Sequence, residues 1–368
     1  MKVQYNIPCL DIKKQYLTIK DEVMQIAEDV FEKTAFSGGP FVEKFENNFA
    51  KYCNTTYAIG CNNGTTALHL AMLALDIGPG DEVIVPANTF IATAWGVSYV
   101  NANIVFVDCD PDTWQIDVES VKKAITNKTK AIIGVHLYGQ PFNIDAIKEI
   151  AIAQNIYFLE DAAQAQGAKY KGINVGCFGE LATFSFYPGK NLGAFGEAGG
   201  VTTNNIKYYQ HLLKLRNHGM TVRYYHELIG YNYRMDGLQA GILDLKLTKL
   251  DAWNNRRKEI AKKYQTEINN PKIKMQTQPE WAESVYHLFV VTTEDREKCI
   301  TFLNEKGIFP ALHYPVPCHL QDAYKHLGYK IGDFPNTEYL AEHCLSLPMF
   351  PELEDEEVNH VIASINAY

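Results

Sequence analysis

The chain has 368 residues, 34 of them basic and 43 acidic, for a formal charge of −9, and 46% are hydrophobic. That profile predicts a soluble globular protein with enough length for one large domain and a smaller one. An acidic balance with no run of five like charges argues against nucleic acid or an anionic membrane as partner. The lack of any apolar stretch near 18 residues, or of an apolar leader at the start, gives a cytoplasmic expectation.

The predicted elements begin after an irregular arm to about Lys14. Ile19, Val23, Ile26, Val30 and Phe31 recur at helical spacing until Ser37-Gly38-Gly39-Pro40 stops them. Helix Phe41 to Tyr52, strand Tyr57 to Gly60 and helix Thr65 to Leu75 follow. Strands are then expected at Val83 to Pro86, Ile104 to Val107, Ala131 to Val135 and Tyr157 to Leu159, with helices near Ile91 to Val100, Val118 to Ile125 and Ile144 to Ala153. This alternation predicts a mostly parallel sheet covered on both faces. Runs Ala182 to Phe186 and Gly200 to Thr203 are joined by too short a link for a helical crossover. One long helix from about Leu238 to Tyr264 is expected to lead into a C-terminal α+β unit, with strand Leu288 to Val291, helix Arg296 to Glu305 and a terminal helix. The eight cysteines form no C-x-x-C pair, and most are expected as small buried hydrophobes.

In such a sheet the ligand binds beyond the carboxyl ends of the strands, and three segments there carry chemistry. Asn62-Asn63-Gly64-Thr65-Thr66, between a strand and a helix, can present free N–H groups to an anion or can be an ordinary helix cap. Glu160-Asp161-Ala162-Ala163-Gln164 places acid at the end of a buried strand, where it needs a cationic partner that could equally be structural. Phe184-Ser185-Phe186-Tyr187-Pro188-Gly189-Lys190 carries a lysine on a tight turn, a position that is often a solvated tip. Together, an anion cradle, a strand-end carboxylate and an amine meet the requirements of pyridoxal 5'-phosphate: donors for its phosphate, an acid at its ring nitrogen and a lysine for a Schiff base. Rossmann and P-loop glycine patterns are absent, and His313, Cys318 and His319 fit no zinc spacing, so no metal is expected.

Over nearly the whole chain these segments resemble the DegT/DnrJ/EryC1/StrS sugar aminotransferases. The resemblance runs through SGGPFVEKFE, NNGTTALHLA, GPGDEVIVPANTF, VHLYGQP, EDAAQA, SFYPGKNLGAFGEAGG, LRNHG, GYNYRMDGLQAGIL and HYPVPCHLQ. It implies the aspartate-aminotransferase-like fold (fold type I): a large domain, residues 1–250, with a mostly parallel seven-stranded sheet and an N-terminal arm, and a small α+β domain, residues 251–368. By the same resemblance Lys190 is the Schiff-base lysine and proton carrier, Asp161 keeps the ring nitrogen protonated, Gln164 bonds the ring hydroxyl and Phe90 stacks on the ring. Gly64, Thr65 and Ser185 would bind the phosphate, and Asn232 would reach the phosphate of a neighbouring subunit, which implies a homodimer with shared active sites. Tyr187, Tyr225 and His313 are the candidates for holding a hexose. The expected reaction carries an amino group from L-glutamate to C-3 of a dTDP-linked 3-keto-6-deoxyhexose. The alternatives are amination at C-4 and a catalytically inactive regulatory protein. Gln166 and Glu197 depart from the AQAHGA and GDAG patterns of many relatives, which bears on sugar preference.

Overall fold

Val83, Ile84 and Val85 are all fully buried, yet Val83 and Val85 pack into one hydrophobic cluster and Ile84 into another. Ile132 and Ile133 divide the same way, as do Phe158 and Leu159. Successive side chains of a strand point to opposite faces, so these residues mark the central layer of a three-layer molecule. The computed structural model describes residues 5–368. Its elements run β1 (Ile7–Pro8), α1 (Ile12–Glu32), α2 (Pro40–Tyr52), β2 (Tyr57–Cys61), α3 (Gly64–Ala74), β3 (Glu82–Pro86), α4 (Ala92–Ser98), β4 (Asn103–Val107), α5 (Val118–Ala124), β5 (Thr129–Val135), α6 (Ile144–Gln154) and β6 (Tyr157–Asp161). Short strands β7 (Lys169–Tyr170) and β8 (Ile173–Asn174) precede β9 (Leu181–Ser185) and β10 (Gly199–Thr203). Then come α7 (Ile206–Arg216) and the hairpin β11 (Met220–Val222) with β12 (Tyr225–His226).

The large sheet has seven strands in the order β2-β10-β9-β6-β5-β3-β4. Only β10 runs against its neighbours: it pairs antiparallel with both β2 and β9, because the segment joining β9 to β10 contains a turn and no helix. The carboxyl ends of the other strands therefore lie along one edge. Among the described residues no helix is long and apolar enough to cross a membrane. No disulfide forms, and six of the eight cysteines are buried.

Three sequence expectations need correction. The arm ends earlier than Lys14: Asp11 caps α1, its carboxylate accepting from the N–H groups of Lys13 and Lys14 at 2.9 and 3.1 Å. The single helix Leu238 to Tyr264 is two, α8 (Gly237–Leu247) and α9 (Leu250–Glu267). Between them the Thr248 hydroxyl donates to the Leu245 carbonyl at 2.7 Å and the Thr248 and Lys249 N–H groups bond three residues back, which tightens and ends the first helix without glycine or proline. The arm also does not stay with the large sheet.

The C-terminal unit comprises β13 (Lys274–Met275), β14 (Ala282–Glu283), β15 (Phe289–Thr292), α10 (Arg296–Glu305), β16 (Ile308–Phe309), α11 (Pro335–His343), β17 (Cys344–Leu347) and α12 (Asp355–Ala367). Its three-stranded sheet β13-β15-β17 packs on Tyr264, Leu303, Val358 and Val361. Ile7 is fully buried in that same cluster, since β1 pairs in parallel with β16.

Candidate active site

The carboxyl ends of β2, β3, β5, β6 and β9 open on a cavity of about 1000 Å³ roofed by residues of the C-terminal unit. At one end lies the start of α3. Asn63 caps it, its side-chain oxygen accepting from the Thr66 N–H at 2.9 Å while the Thr66 hydroxyl accepts from the Asn63 N–H at 3.3 Å. The cap engages the third N–H of the helix, so the first two, on Gly64 and Thr65, remain for an anion. A Cβ at Gly64 would stand 2.6 Å from the Cβ of Ser185, so glycine is needed for the start of α3 and the end of β9 to approach this closely. The Ser185 hydroxyl borders the same space.

At the far end of β6 the strand's alternation separates two acids. Glu160 is fully buried on the closed side, accepting from His136 Nε2 at 3.0 Å and from the N–H groups of Gly176, Phe178 and Gly179 at 2.7 to 3.0 Å. Burial pushes its pKa up, but the His136 contact and the N–H donors outweigh that and hold the carboxyl below its ordinary range. Asp161, on the cavity side, accepts from the Thr93 hydroxyl at 2.8 Å and the Ala163 N–H at 3.1 Å. Here burial dominates and raises the pKa above the usual carboxylate value, although Thr93, Ala163 and Lys190 oppose it. A cationic ring N–H would compensate that desolvation. Gln164 is held by both ends, accepting from the Tyr138 N–H at 2.7 Å and donating to the Tyr314 hydroxyl at 3.0 Å.

Lys190 enters from the β9–β10 connection. The turn closes through its N–H to the Tyr187 carbonyl at 2.8 Å, and the Phe186 carbonyl accepts from the Ala194 N–H at 2.8 Å. A Cβ at Gly193 would meet the Pro188 carbonyl at 2.4 Å, so the loop folds tightly on itself and carries the lysine inward rather than to solvent. Burial lowers the amine to about 8, with Asp161 pulling the other way.

The structure brings Gly64, Thr65, Phe90, Asp161, Gln164, Ser185, Tyr187, Lys190 and His313 to this one cavity. Phe90 stands 5.5 Å from Tyr314, ring to ring. His313 bonds the Ser346 hydroxyl through Nδ1 at 2.8 Å, and burial lowers its pKa to about 4. Asn232 and Tyr225 do not line the cavity of their own chain: Asn232 is exposed beside Asn217, and Tyr225 is 72% exposed on the β11–β12 hairpin. His319 and Cys318 lie apart from His313, His319 on Glu338 at 3.1 Å and the Cys318 thiol on the Thr89 carbonyl. Sequence reasoning missed Thr93, His287 and Tyr314, single residues from separate elements with no spacing to betray them. Glu197, noted only as a departure from pattern, also borders the cavity.

The residues present fit pyridoxal phosphate: helix-start donors and a hydroxyl where glycine clears space, a buried carboxylate awaiting a cation, and a buried amine of lowered pKa. Comparison with known proteins agrees. The sequence profile of the DegT/DnrJ/EryC1/StrS aminotransferase family matches residues 17–366. The chain is 43% identical over 362 residues to the dTDP-3-amino-3,6-dideoxy-alpha-D-galactopyranose transaminase of Aneurinibacillus thermoaerophilus, covering 98% of this chain and 99% of that one. It is 39% identical over 359 residues to the UDP-N-acetyl-3-dehydro-alpha-D-glucosamine 3-aminotransferase of Acidithiobacillus ferrooxidans, covering 98% and 97%. Among solved structures, DesV of S. venezuelae in complex with a ketimine intermediate superimposes with a TM-score of 0.97 at 41% identity, covering 99% of this chain and 98% of that one. NtdA of Bacillus subtilis with bound cofactor PMP does so with a TM-score of 0.92 at 30% identity, covering 99% and 85%. Profile, relatives and architecture converge with the geometry of the cavity, and the chain belongs to the DegT/DnrJ/EryC1/StrS family as a pyridoxal-phosphate-dependent sugar aminotransferase.

Proposed function

We propose that this enzyme takes the amino group of glutamate and delivers it to C-3 of a dTDP-linked 3-keto-6-deoxyhexose, acting in the cytoplasm as a homodimer. The observation that carries the reading is Tyr187, which borders the cavity with Lys190, three residues before it on the same turn. The two relatives support C-3, since both their names place the amine or the ketone there. Bound pyridoxal phosphate supplies a carbonyl that condenses with amines and a ring that accepts the electron pair left when a proton departs. The chain does the rest. Gly64, Thr65 and Ser185 hold the phosphate, Asp161 keeps a proton on the ring nitrogen, Gln164 donates or accepts at the ring edge and Phe90 covers one ring face.

Lys190, lowered to about 8 by burial, is neutral in an appreciable fraction near pH 7 and can take a proton from the substrate carbon and return it on the other side of the transfer. Tyr187 and the neutral His313 offer hydrogen bonds to sugar hydroxyls, and Tyr225 and Asn232 act in the partner's site. The test is product analysis. Holoenzyme, glutamate and a panel of dTDP-3-keto, dTDP-4-keto and UDP-3-keto hexoses should give an aminated product, identified by NMR, from the dTDP-3-keto sugar at least tenfold faster than from the others. Faster amination at C-4, or of the UDP sugar, overturns the assignment.

A further inference from the structure

Lys246, on α8, is a lysine with no exposure to solvent. Among the described residues no carboxylate is paired with it: Glu352 acts on it from a distance, and the ammonium donates instead to the Gly193 carbonyl. The rings of Phe195 and Trp253 complete its surroundings, their centres 4.6 and 5.8 Å from Nζ. Aromatic faces carry partial negative charge and here stand in for a counter-ion. Burial lowers the amine to about 8 against the pull of Glu352, which leaves it mostly an ammonium at pH 7. A buried cation without an ion pair destabilises a fold, and an apolar side chain of similar shape would not.

What the ammonium holds is the loop that carries Lys190. Gln239 and Lys246 lie two turns apart on one face of α8, and both engage the loop where it returns. The Gln239 side-chain oxygen accepts from the Phe195 N–H at 2.8 Å, and Lys246 takes the Gly193 carbonyl two residues earlier. Gly193 in turn lies against the outgoing arm of the loop, where a Cβ would come within 2.8 Å of the Tyr187 carbonyl oxygen. That same oxygen accepts the Lys190 N–H at 2.8 Å. A continuous path of contacts therefore runs from the buried ammonium through the Gly193 backbone and the Tyr187 carbonyl to Lys190.

We propose that Lys246 is a positioning residue for Lys190: its ammonium, stabilised by two aromatic faces, grips the Gly193 carbonyl and so fixes the loop that carries the Lys190 amine into the cavity. This rests on Lys190 being the amine that receives the cofactor. Two substitutions separate the proposal from a packing role. Lys246→Met keeps the apolar stem but has neither charge nor donor, whereas Lys246→Arg keeps a cationic donor that can lie on the same rings. Packing alone favours the methionine variant; a held carbonyl favours the arginine variant.

Purified apoproteins are mixed with pyridoxal phosphate, and Schiff-base formation is followed by absorbance. Turnover and urea unfolding of the loaded proteins are measured alongside. Lys246→Met should reach the full Schiff-base band about fivefold more slowly than wild type, and lose about tenfold in kcat with KM for glutamate little changed. Its urea midpoint should not fall, since the buried charge is gone. Lys246→Arg should keep kcat within about threefold. Equal kcat in the two variants, a tenfold loss in Lys246→Arg, or a lowered urea midpoint in Lys246→Met with kcat unchanged overturns the inference and leaves Lys190's role standing. If the wild-type apoprotein forms no Schiff-base band, the lysine assignment itself fails, and the inference with it.

Discussion

The amine of Lys190 stands between two opposed effects. Removal from water disfavours its ammonium, the nearby Asp161 carboxylate favours it, and the outcome is a pKa lowered to about 8 rather than abolished. A lysine at its ordinary value near 10.4 would be a free amine in less than about a thousandth of molecules at pH 7; lowered to about 8 it is free in roughly a tenth. In the proposed reaction that gain would serve both tasks given to Lys190, holding the cofactor and moving a proton. The sign follows directly. Protonation dominates below the lowered pKa, so the rate at which apoprotein takes up pyridoxal phosphate should rise about tenfold per pH unit up to about pH 8 and then level off, as stopped-flow absorbance would record. A plateau beginning near pH 10 would mean the amine is not desolvated as the geometry requires. The neutral imidazoles of His313 and His287 add no positive charge beside it at these pH values.

The strand β6 shows how an element with period two can serve structure and chemistry at adjacent residues. Glu160 turns to the closed side, where three of its four donors are N–H groups of the Gly176–Gly179 loop that it anchors, and Asp161 turns to the cavity. Replacing Glu160 by glutamine puts an amide nitrogen against these donors and removes the charge that strengthens each bond. The variant should lose about 2–4 kcal/mol in urea unfolding. The pH dependence has a fixed direction. A carboxyl with its folded pKa below its ordinary value of 4.5 contributes fully above that value and loses the contribution as pH falls through the lower folded pKa, so the gap between wild type and Glu160→Gln should narrow toward acid.

Elements of this kind were legible in the sequence because both faces of β3, β5 and β6 are buried and their side chains form unbroken apolar runs. The break between α8 and α9 was not, since a threonine hydroxyl bonding back three residues leaves no glycine or proline to read. Two-residue strands such as β1, β7 and β14 have no periodicity at all, and their pairing is decided by distant partners. The same contrast holds in the site. Asp161, Gln164 and Lys190 follow strand ends within recognisable segments, whereas Thr93, His287 and Tyr314 reach the cavity from an apolar helix, a short connecting segment and a loop that nothing local connects.

For the molecule as a whole, the proposed homodimer turns on where Asn232 and Tyr225 lie. Both lie outside the cavity of their own chain, and the hairpin that carries Tyr225 also exposes Val222 and Tyr224, with Ile229 exposed just after it. In the proposed homodimer a second copy of the chain covers these apolar side chains and receives Asn232 at its own helix-start anion site. Lys190→Ala disables a site in the chain that carries it. In the proposed dimer Asn232→Asp, by setting a carboxylate against a phosphate, should disable the site of the partner instead. When the two inactive variants are unfolded together and refolded as a mixture, half of the dimers formed at random combine one chain of each kind. In such a dimer the site built on the intact Lys190 receives the intact Asn232, and the other site carries both lesions. Turnover should therefore return to roughly a quarter of the wild-type rate, although each variant refolded alone stays inactive. A mixture no more active than its parents would show instead that Asn232 serves the chain it belongs to, and that the exposed hairpin covers something other than a shared active site.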